Sequence, residues 1–384
     1  MRENWTYKKL NEVCDFVSGF TPKSEQLRSN GKYPYFKVAD MNTLGNEKEL
    51  RKTASYLDHS LKYYKKNTIV FPKNGAAIAT NKKRILAFDS IIDLNTAGVY
   101  TDGSLLSYQF LYYFLLKIDF KEITRGGAVP TLDLKELKNK KIILPPLSEQ
   151  QSIVAELDKI NELISLKKAQ LSDLDTLAQS IFYDMFGDPI ENEKGWEVKK
   201  LGEVGEIERG AGISKKDFVD EGLPCIHYGQ LHTILGPITK KHYTSISESL
   251  LPKFKIAHTG DLIMAITSED VEGSCKSTAW LGDYDIVVGS DAAILHHNQD
   301  GTFLSYYTMT KAFYNEKAKY AKGFKVTHIS TKEIESIPVY LPPLSLQQDF
   351  AKRIELIEQQ KAQISSTIKD LETLLASRMQ YWFD

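Results

Sequence analysis

The stretch Leu144-Pro145-Pro146-Leu147-Ser148-Glu149-Gln150-Gln151 returns as Leu341-Pro342-Pro343-Leu344-Ser345-Leu346-Gln347-Gln348, with seven of eight positions identical at an offset of 197. A repeat of this kind fixes the architecture before any single element is read. Working upstream, Trp5 with Lys8-Lys9-Leu10 returns as Trp196 with Lys199-Lys200-Leu201 at an offset of 191, and Tyr33-Pro34-Tyr35 has a looser echo in Leu223-Pro224-Cys225. Arg125-Gly126 corresponds to Lys322-Gly323, and Lys135-Glu136-Leu137 to Lys332-Glu333-Ile334. The chain is therefore two copies of one plan, a globular stretch with a common ending.

Downstream of each Pro-Pro the hydrophobic period becomes helical. Proline is excluded from a helix interior and tolerated just ahead of it, which leaves Ser148 and Ser345 as the expected N-caps. Ile153, Leu157, Ile160, Ile164, Lys167, Leu171, Leu174, Ala178, Ile181 and Met185 step by four and three. Phe350, Ile354, Ile357, Lys361, Ile364, Ile368, Leu371, Leu375, Arg378 and Trp382 take the same steps. Ten seam positions in each of two copies, without Pro or Gly before Gly187, favour a coiled coil over a single core-facing helix. From Ser148 to Phe186 such a helix extends about 58 Å at 1.5 Å per residue. Compact domains often keep their ends close, so the second helix is expected to start near the end of the first and run back along it, antiparallel. Lys167 and Lys361 are polar intrusions in the seam, available for register, for a partner, or for simple snorkelling.

Within the globular stretches, short β-rich runs (Asn67 to Phe71, Ile91 to Asp93, Asp261 to Ile266, Asp285 to Val288) lie between Gly, Asn and Ser punctuation. Leu105 to Ile118 reads as a helix, with Phe303 to Tyr320 in the matching place. The fold class is α/β (α+β): two tandem globular domains, each followed by a long helix. The boundaries fall at 1–146, 147–187, 188–343 and 344–384.

No window approaches the roughly 18 apolar residues that span a bilayer, and Met1 to Leu10 lacks an apolar signal core. The chain reads as soluble, cytoplasmic and without a membrane partner. Cys14, Cys225 and Cys275 are odd in number and far apart, which removes a disulfide framework and a CxxC metal site. The formal net charge of -1 hides segregation, because residues 1–146 hold 24 Lys and Arg against 15 Asp and Glu. That excess is the footprint expected of a polyanion such as DNA, although an unliganded basic surface would look the same.

Catalytic machinery is hard to find in this sequence. Gly273 to Thr278 ends like a phosphate loop but does not complete the GxxxxGK[ST] pattern. No GxGxxG opens a helix, no HExxH is present, and His296-His297 reads as a loop pair. Asp188 followed by Glu197-Val198-Lys199 resembles the D…ExK pattern of Mg-dependent nucleases, but the repeat equivalent of Glu197 is Thr6. Binding chemistry is better supplied. Lys62, Lys65, Lys66, Lys73, Asn81, Lys82, Lys83 and Arg84 surround the Gly75-Ala76-Ala77 turn with Tyr63, Tyr64 and Phe71 interleaved. Lysine and arginine suit phosphates, and Arg, Asn, Ser and Thr suit base edges. The DNA-contact candidates are therefore Lys73, Thr80, Asn81, Lys82, Lys83, Arg84 and Arg125 in the first copy. In the second they are Lys276, Ser277, Thr278 and Lys322.

Taken together, the tandem layout, LPPLSEQQ and LPPLSLQQ, the Phe186-Gly187-Asp188-Pro189 junction and the Trp-x-x-x-x-Leu openings resemble the specificity subunit of type I restriction-modification systems along the whole chain. The resemblance implies two target recognition domains that read the halves of a split asymmetric site in double-stranded DNA, and paired helices that set their separation. It also implies docking of methyltransferase subunits and a restriction and translocation subunit, with S-adenosylmethionine, ATP and Mg on those partners and no cofactor or metal in this chain. The chain itself would be non-catalytic. Two other readings stand beside this one, a single-chain restriction endonuclease with a cryptic metal site near Glu197 and a non-catalytic coiled-coil scaffold.

Overall fold

In a computed structural model, residues 5–60, 62–127, 129–249, 254–321 and 326–384 are described. The chain forms two compact units: unit 1 is Met1–Lys167 with Thr367–Asp384, and unit 2 is Lys168–Ser366. Each unit is α/β, and each contains part of both long helices.

The central sheet of unit 1 has the strand order Asp15–Ser18, Thr96–Tyr100, Ile69–Pro72, Arg84–Leu86, Glu49–Leu50, antiparallel except for the last pair. Its middle strand, Ile-Val-Phe-Pro, is buried along its whole length, as a sheet covered on both faces requires. The period of two divides that strand. Ile69 and Phe71 face a core with Phe110 and Leu111, whereas Val70 faces a second core with Phe36, Met41 and Ile92. A smaller sheet, Tyr56–Leu57, Tyr33–Phe36, Ile91–Ile92, lies beyond that second face. The first strand, Thr6–Lys9, pairs antiparallel with Lys141–Leu144, so the opening of the copy is zipped to the residues that lead into its Pro-Pro.

Unit 2 repeats this plan. Its central sheet runs Gly205–Arg209, Ala292–His297, Leu262–Ala265, Ser277–Trp280, Ile238–Thr239, again with only the last pair parallel. Glu197–Lys200 pairs with Pro338–Leu341. The second sheet has five strands rather than three, built around Leu223–Ile226 and Ile286–Val288, which pair in parallel as Tyr33–Phe36 and Ile91–Ile92 do.

Two sequence expectations need correction at helix ends. The predicted helix from Leu105 starts at Tyr108, because the Ser107 side chain accepts from the Phe110 N–H and caps it. Its counterpart is not one helix. Gly301–Tyr307 stops, and Thr310 caps a new helix, Lys311–Ala318, by accepting from Phe313 N.

The long helices are Leu147–Phe186 and Leu344–Phe383, 40 residues each. They begin earlier than the expected serine caps. The Pro146 carbonyl accepts from Glu149 and Gln150, and the Pro343 carbonyl from Leu346 and Gln347, so Ser148 and Ser345 lie inside the first turn. All twenty seam positions are buried or half-buried, among them Ile153, Leu157, Ile160, Ile164, Leu171, Leu174, Ile354, Ile357, Ile364, Ile368 and Leu371. In unit 1 Arg378 and Trp382 both bond Glu156. In unit 2 Lys361 bridges Asp175 at 2.8 Å and Glu358 at 2.7 Å, which answers the polar intrusion there. Residue numbers rise along one helix as they fall along its partner, so the pair is antiparallel. Burial alone would lower the Lys361 ammonium, and its two carboxylate partners reverse this and raise it.

The end of each long helix is aromatic. Phe383 reaches the helix Tyr108–Lys117 of unit 1, with ring centroids 4.9 Å from Phe110. Phe186 packs 4.9 Å from Phe303 and 5.4 Å from Phe350 in unit 2. These two phenylalanines are themselves repeat equivalents, so each copy completes the core of the other copy's unit.

Candidate nucleic-acid interface

The basic run after Gly75 divides once it is folded. Gly75 has a φ of +76° and precedes a short 3-10 turn, Ala76–Thr80, that ends at Asn81 in the left-handed region. Lys83 then turns inward and is fully buried. Its Nζ donates to the Ile118 carbonyl at 2.7 Å and to Asn81 Oδ1 at 2.5 Å, and lies 3.9 Å from the centre of the Phe120 ring. Asn81 Oδ1 also accepts from Phe120 N. Arg84 donates to the carbonyls of Lys83 and Met41, and its Nε is buried without a partner. Lys83 is thus a staple of the fold with no donor at the surface, half-buried Arg84 spends two of its donors on backbone carbonyls, and Asn81 spends its carboxamide oxygen inside the fold. Nothing in a run of basic residues reports which of them points inward. Lys82, which bonds Asn42, and the exposed Thr80 remain on the surface.

Burial pulls the Lys83 ammonium from 10.5 down to about 7, with Asp119 opposing. Between those two values the unfolded chain binds more protons at this group than the folded one, so stability rises with pH across that window. The stability of wild type relative to Lys83→Met is therefore expected to rise from pH 7 towards pH 9 in urea unfolding, by up to about 1.4 kcal/mol per pH unit. A difference that is flat with pH would contradict the burial of a titrating amine.

Unit 2 shows the same division. Thr278 is fully buried and Ser277 nearly so, the latter bonded to Thr308. Neither offers a donor to DNA, because both sit on a central strand covered on its two faces. Lys276 is exposed and donates to the His232 carbonyl at 3.2 Å. Sheet register makes it the counterpart of Lys82, since Arg84 pairs with Val70 as Thr278 pairs with Ile263. Arg125 is exposed and paired with Asp133. Lys322 lies outside the described residues. Glu197 is on a strand and bridges Lys199 at 3.3 Å, and among the described residues no group of three or more His, Cys, Asp or Glu has the geometry to hold a metal.

The folded chain gathers polar groups at a place where linear reading had named Lys73 alone, one open end of the three leading strands of each central sheet. In unit 1 this end carries Ser18, Lys73, Asn74, Asn95 and Thr131. Lys73 Nζ donates to Ser18 Oγ at 3.1 Å, Asn74 Nδ2 to Asn95 Oδ1 at 3.3 Å, and Asn74 bridges to Thr131. Lys62 and Tyr64 both donate to the Ser18 carbonyl. Burial lowers the Lys73 ammonium, and Lys62 adds to this while Asp93 opposes it.

In unit 2 the same end carries Arg209, Thr267, Asp291 and His328. Arg209 lies 3.6 Å from Asp291, Thr267 Oγ1 donates to Asp291 Oδ1 at 3.2 Å, and Thr267 Oγ1 meets His328 Nδ1 at 3.2 Å. Register fixes the correspondence: Ser18 pairs with Ala97 as Arg209 pairs with Ala293, so Asn95 and Asp291 are equivalent. The next residue is glycine in both copies for one reason. A Cβ on Gly19 would stand 1.9 Å from the Asp93 carbonyl oxygen, and one on Gly210 2.1 Å from that of Gly289. The offset of 191 set by the two tryptophans already aligns Ser18-Gly19 with Arg209-Gly210. No comparable signal marked Asn95 or Asp291.

Known proteins match this layout. The model of the type I restriction modification DNA specificity domain matches twice, at residues 2–175 and 193–373. The type I restriction enzyme MjaVIII specificity subunit of Methanocaldococcus jannaschii is 26% identical over 97% of this chain and 92% of its own length. The S subunit of a type I restriction-modification system from M. genitalium has the same fold, with a TM-score of 0.55 at 16% identity over 99% of this chain and 96% of that one. A chain solved in work on complex assembly and conformational transition of the type I R-M system has a TM-score of 0.60 at 19% identity, over 99% and 97%.

Proposed function

The chain belongs to the type I restriction-modification DNA specificity family, and from that premise we propose that it reads a bipartite, asymmetric site in double-stranded DNA for a type I restriction-modification complex. Residues 1–146 act as one target recognition domain and 188–343 as the other. The helices 147–187 and 344–384 set the distance between half-sites and receive the methyltransferase and restriction subunits. S-adenosylmethionine, ATP and Mg belong to those partners, and this chain contributes recognition without catalysis. No helix among the described residues is long and apolar enough to cross a membrane; a chain that reads DNA in this way would work in the cytoplasm.

One observation carries this reading. Two sheets with the same strand order present different side chains at the same open end: Ser18, Asn74 and Asn95 in one, Arg209, Thr267 and Asp291 in the other. A shared scaffold with exchanged polar groups is what two readers of unlike sequences require, because phosphate contacts position a protein and base-edge contacts specify its site. Unit 1 adds the basic surface for the phosphates.

The test is a segment exchange. Residues 1–143 are replaced by the equivalent segment of a related specificity subunit, the chimaera is produced with its modification subunits, and the methylated sequence is read from the genome of the cells. One half of the recognised sequence is expected to change completely while the other half and the spacer persist. A change in both halves would mean that the units do not read independently. Indifference to DNA sequence would favour the scaffold reading.

A further inference from the structure

Arg209 ends the first strand of the central sheet of unit 2, and its side chain is about half exposed, at 55%. It is not idle there. Asp291 stands 3.6 Å away and receives a hydrogen bond from Thr267, which in turn meets His328. Asp291 holds a left-handed backbone with a φ of +63°, a conformation that costs a non-glycine residue energy. Backbone bonds from Ile266 N to the Asp291 carbonyl and from Gly210 N to the Ala292 carbonyl tie that turn to the strand bearing Arg209. The result is a half-exposed guanidinium beside a carboxylate that Thr267 holds in place.

An exposed ion pair of this kind adds little to stability, so stability does not account for a strained turn built around it. Recognition does. A guanidinium presents two parallel donors that match the O6 and N7 acceptors of guanine in the major groove. The neighbouring carboxylate selects between the two uses of an arginine on DNA: its negative charge disfavours a phosphate at the same spot and is tolerated by an uncharged base edge. Unit 2 has less basic residue to spend on phosphates, since residues 190–343 hold 17 Lys and Arg against 21 Asp and Glu. The equivalent positions in unit 1 are Ser18 and Asn95, which cannot make this contact.

We propose that Arg209, oriented by Asp291, reads one guanine in the half-site recognised by unit 2. This rests on the proposed DNA-reading function and adds to it a residue, a base and a half-site. The experiment uses the full-length chain co-produced with its modification subunits, selected against random duplex DNA, and then measured on the selected duplex and its single-base variants at several salt concentrations. In Arg209→Lys, which keeps the charge and loses the fork, preference for one G·C pair is expected to fall roughly 5- to 150-fold. The unit 1 half-site serves as the folding control and is expected to be unchanged. Asp291→Asn is expected to relax the same base pair to a smaller extent. A uniform loss of affinity in Arg209→Ala with a shallower salt slope and unaltered sequence would make Arg209 a phosphate contact and overturn the proposal, as would no change in preference. If the wild-type complex selected no sequence at all, the proposed function would fall first.

Discussion

Replacement of Gln150 by leucine is expected to destabilise unit 1 by about 4 kcal/mol, whereas the same change at Gln151 is expected to stay within about 0.5 kcal/mol. The two residues are neighbours in the repeated motif and chemically identical. Gln150 is fully buried, and its carboxamide accepts from Ser107 N at 2.9 Å while donating to the carbonyls of Leu105 at 2.8 Å and Pro145 at 2.9 Å. It thereby clamps the start of the long helix to the residue that caps the helix Tyr108–Lys117. Leucine fills the volume but takes the partner away from the half-buried Ser107 N–H, the buried Pro145 carbonyl and the Leu105 carbonyl, and each group orphaned away from water costs roughly 1–3 kcal/mol. Gln151 is exposed. Gln347 repeats the arrangement in unit 2, accepting from Asp300 N and donating to Gln299 Oε1 and the Pro342 carbonyl, so Gln347→Leu and Gln348→Leu form an independent second pair. Urea unfolding of the four full-length variants provides the comparison: the midpoint should drop for Gln150 and Gln347 with little change in slope. Equal effects within each pair would refute the clamp.

A loss of about 3–5 kcal/mol is expected for Phe186→Ala and for Phe383→Ala, the usual range for removing a buried phenylalanine. The location of the damage is the more telling result. Phe186 ends the first long helix, yet it packs on Phe303 and Phe350 of unit 2, with Phe182 5.0 Å away. Phe383 ends the second, yet it packs on Phe110 and Phe114 of unit 1. Phe186→Ala should therefore accelerate amide hydrogen exchange in the helix Gly301–Tyr307, and Phe383→Ala in the helix Tyr108–Lys117. Each variant should spare the other helix. Local exchange measures this directly, because opening free energies vary along a chain. Damage confined to the long helices themselves would contradict the crossed completion of the two cores.

The architecture was legible in linear sequence because its signals are local or self-referential. A seam that steps by four and three reports a helix face from neighbours within one turn. The return of Leu-Pro-Pro-Leu-Ser at an offset of 197 reports a duplicated plan without knowledge of any contact. Both survive folding unchanged: two helices of 40 residues, antiparallel, and two central sheets with the same strand order. The ends of elements were less legible. Pro146 and Pro343 supplied the first helical acceptors that Ser148 and Ser345 were expected to surround, since a cap depends on which backbone group reaches the orphan donors first.

The candidate site was not legible, for reasons of geometry. Lys82, Lys83 and Arg84 are adjacent and alike in charge, but successive residues near a strand face opposite ways, so Lys83 sank beneath Phe120 while Lys82 stayed at the surface. Composition counts a charge and is silent about the side to which it points. Ser18, Asn74, Asn95 and Thr131, like Arg209, Thr267, Asp291 and His328, come from strand ends far apart in sequence, and only the register of the sheets brings each set together. The sequence by itself determined the duplicated plan, the helical seam and the excess of positive charge in the first copy. Tertiary structure decided which polar groups gather at the ends of the sheets, because that choice depends on strand pairing between distant segments and on which lysine the core could bury with its donors satisfied.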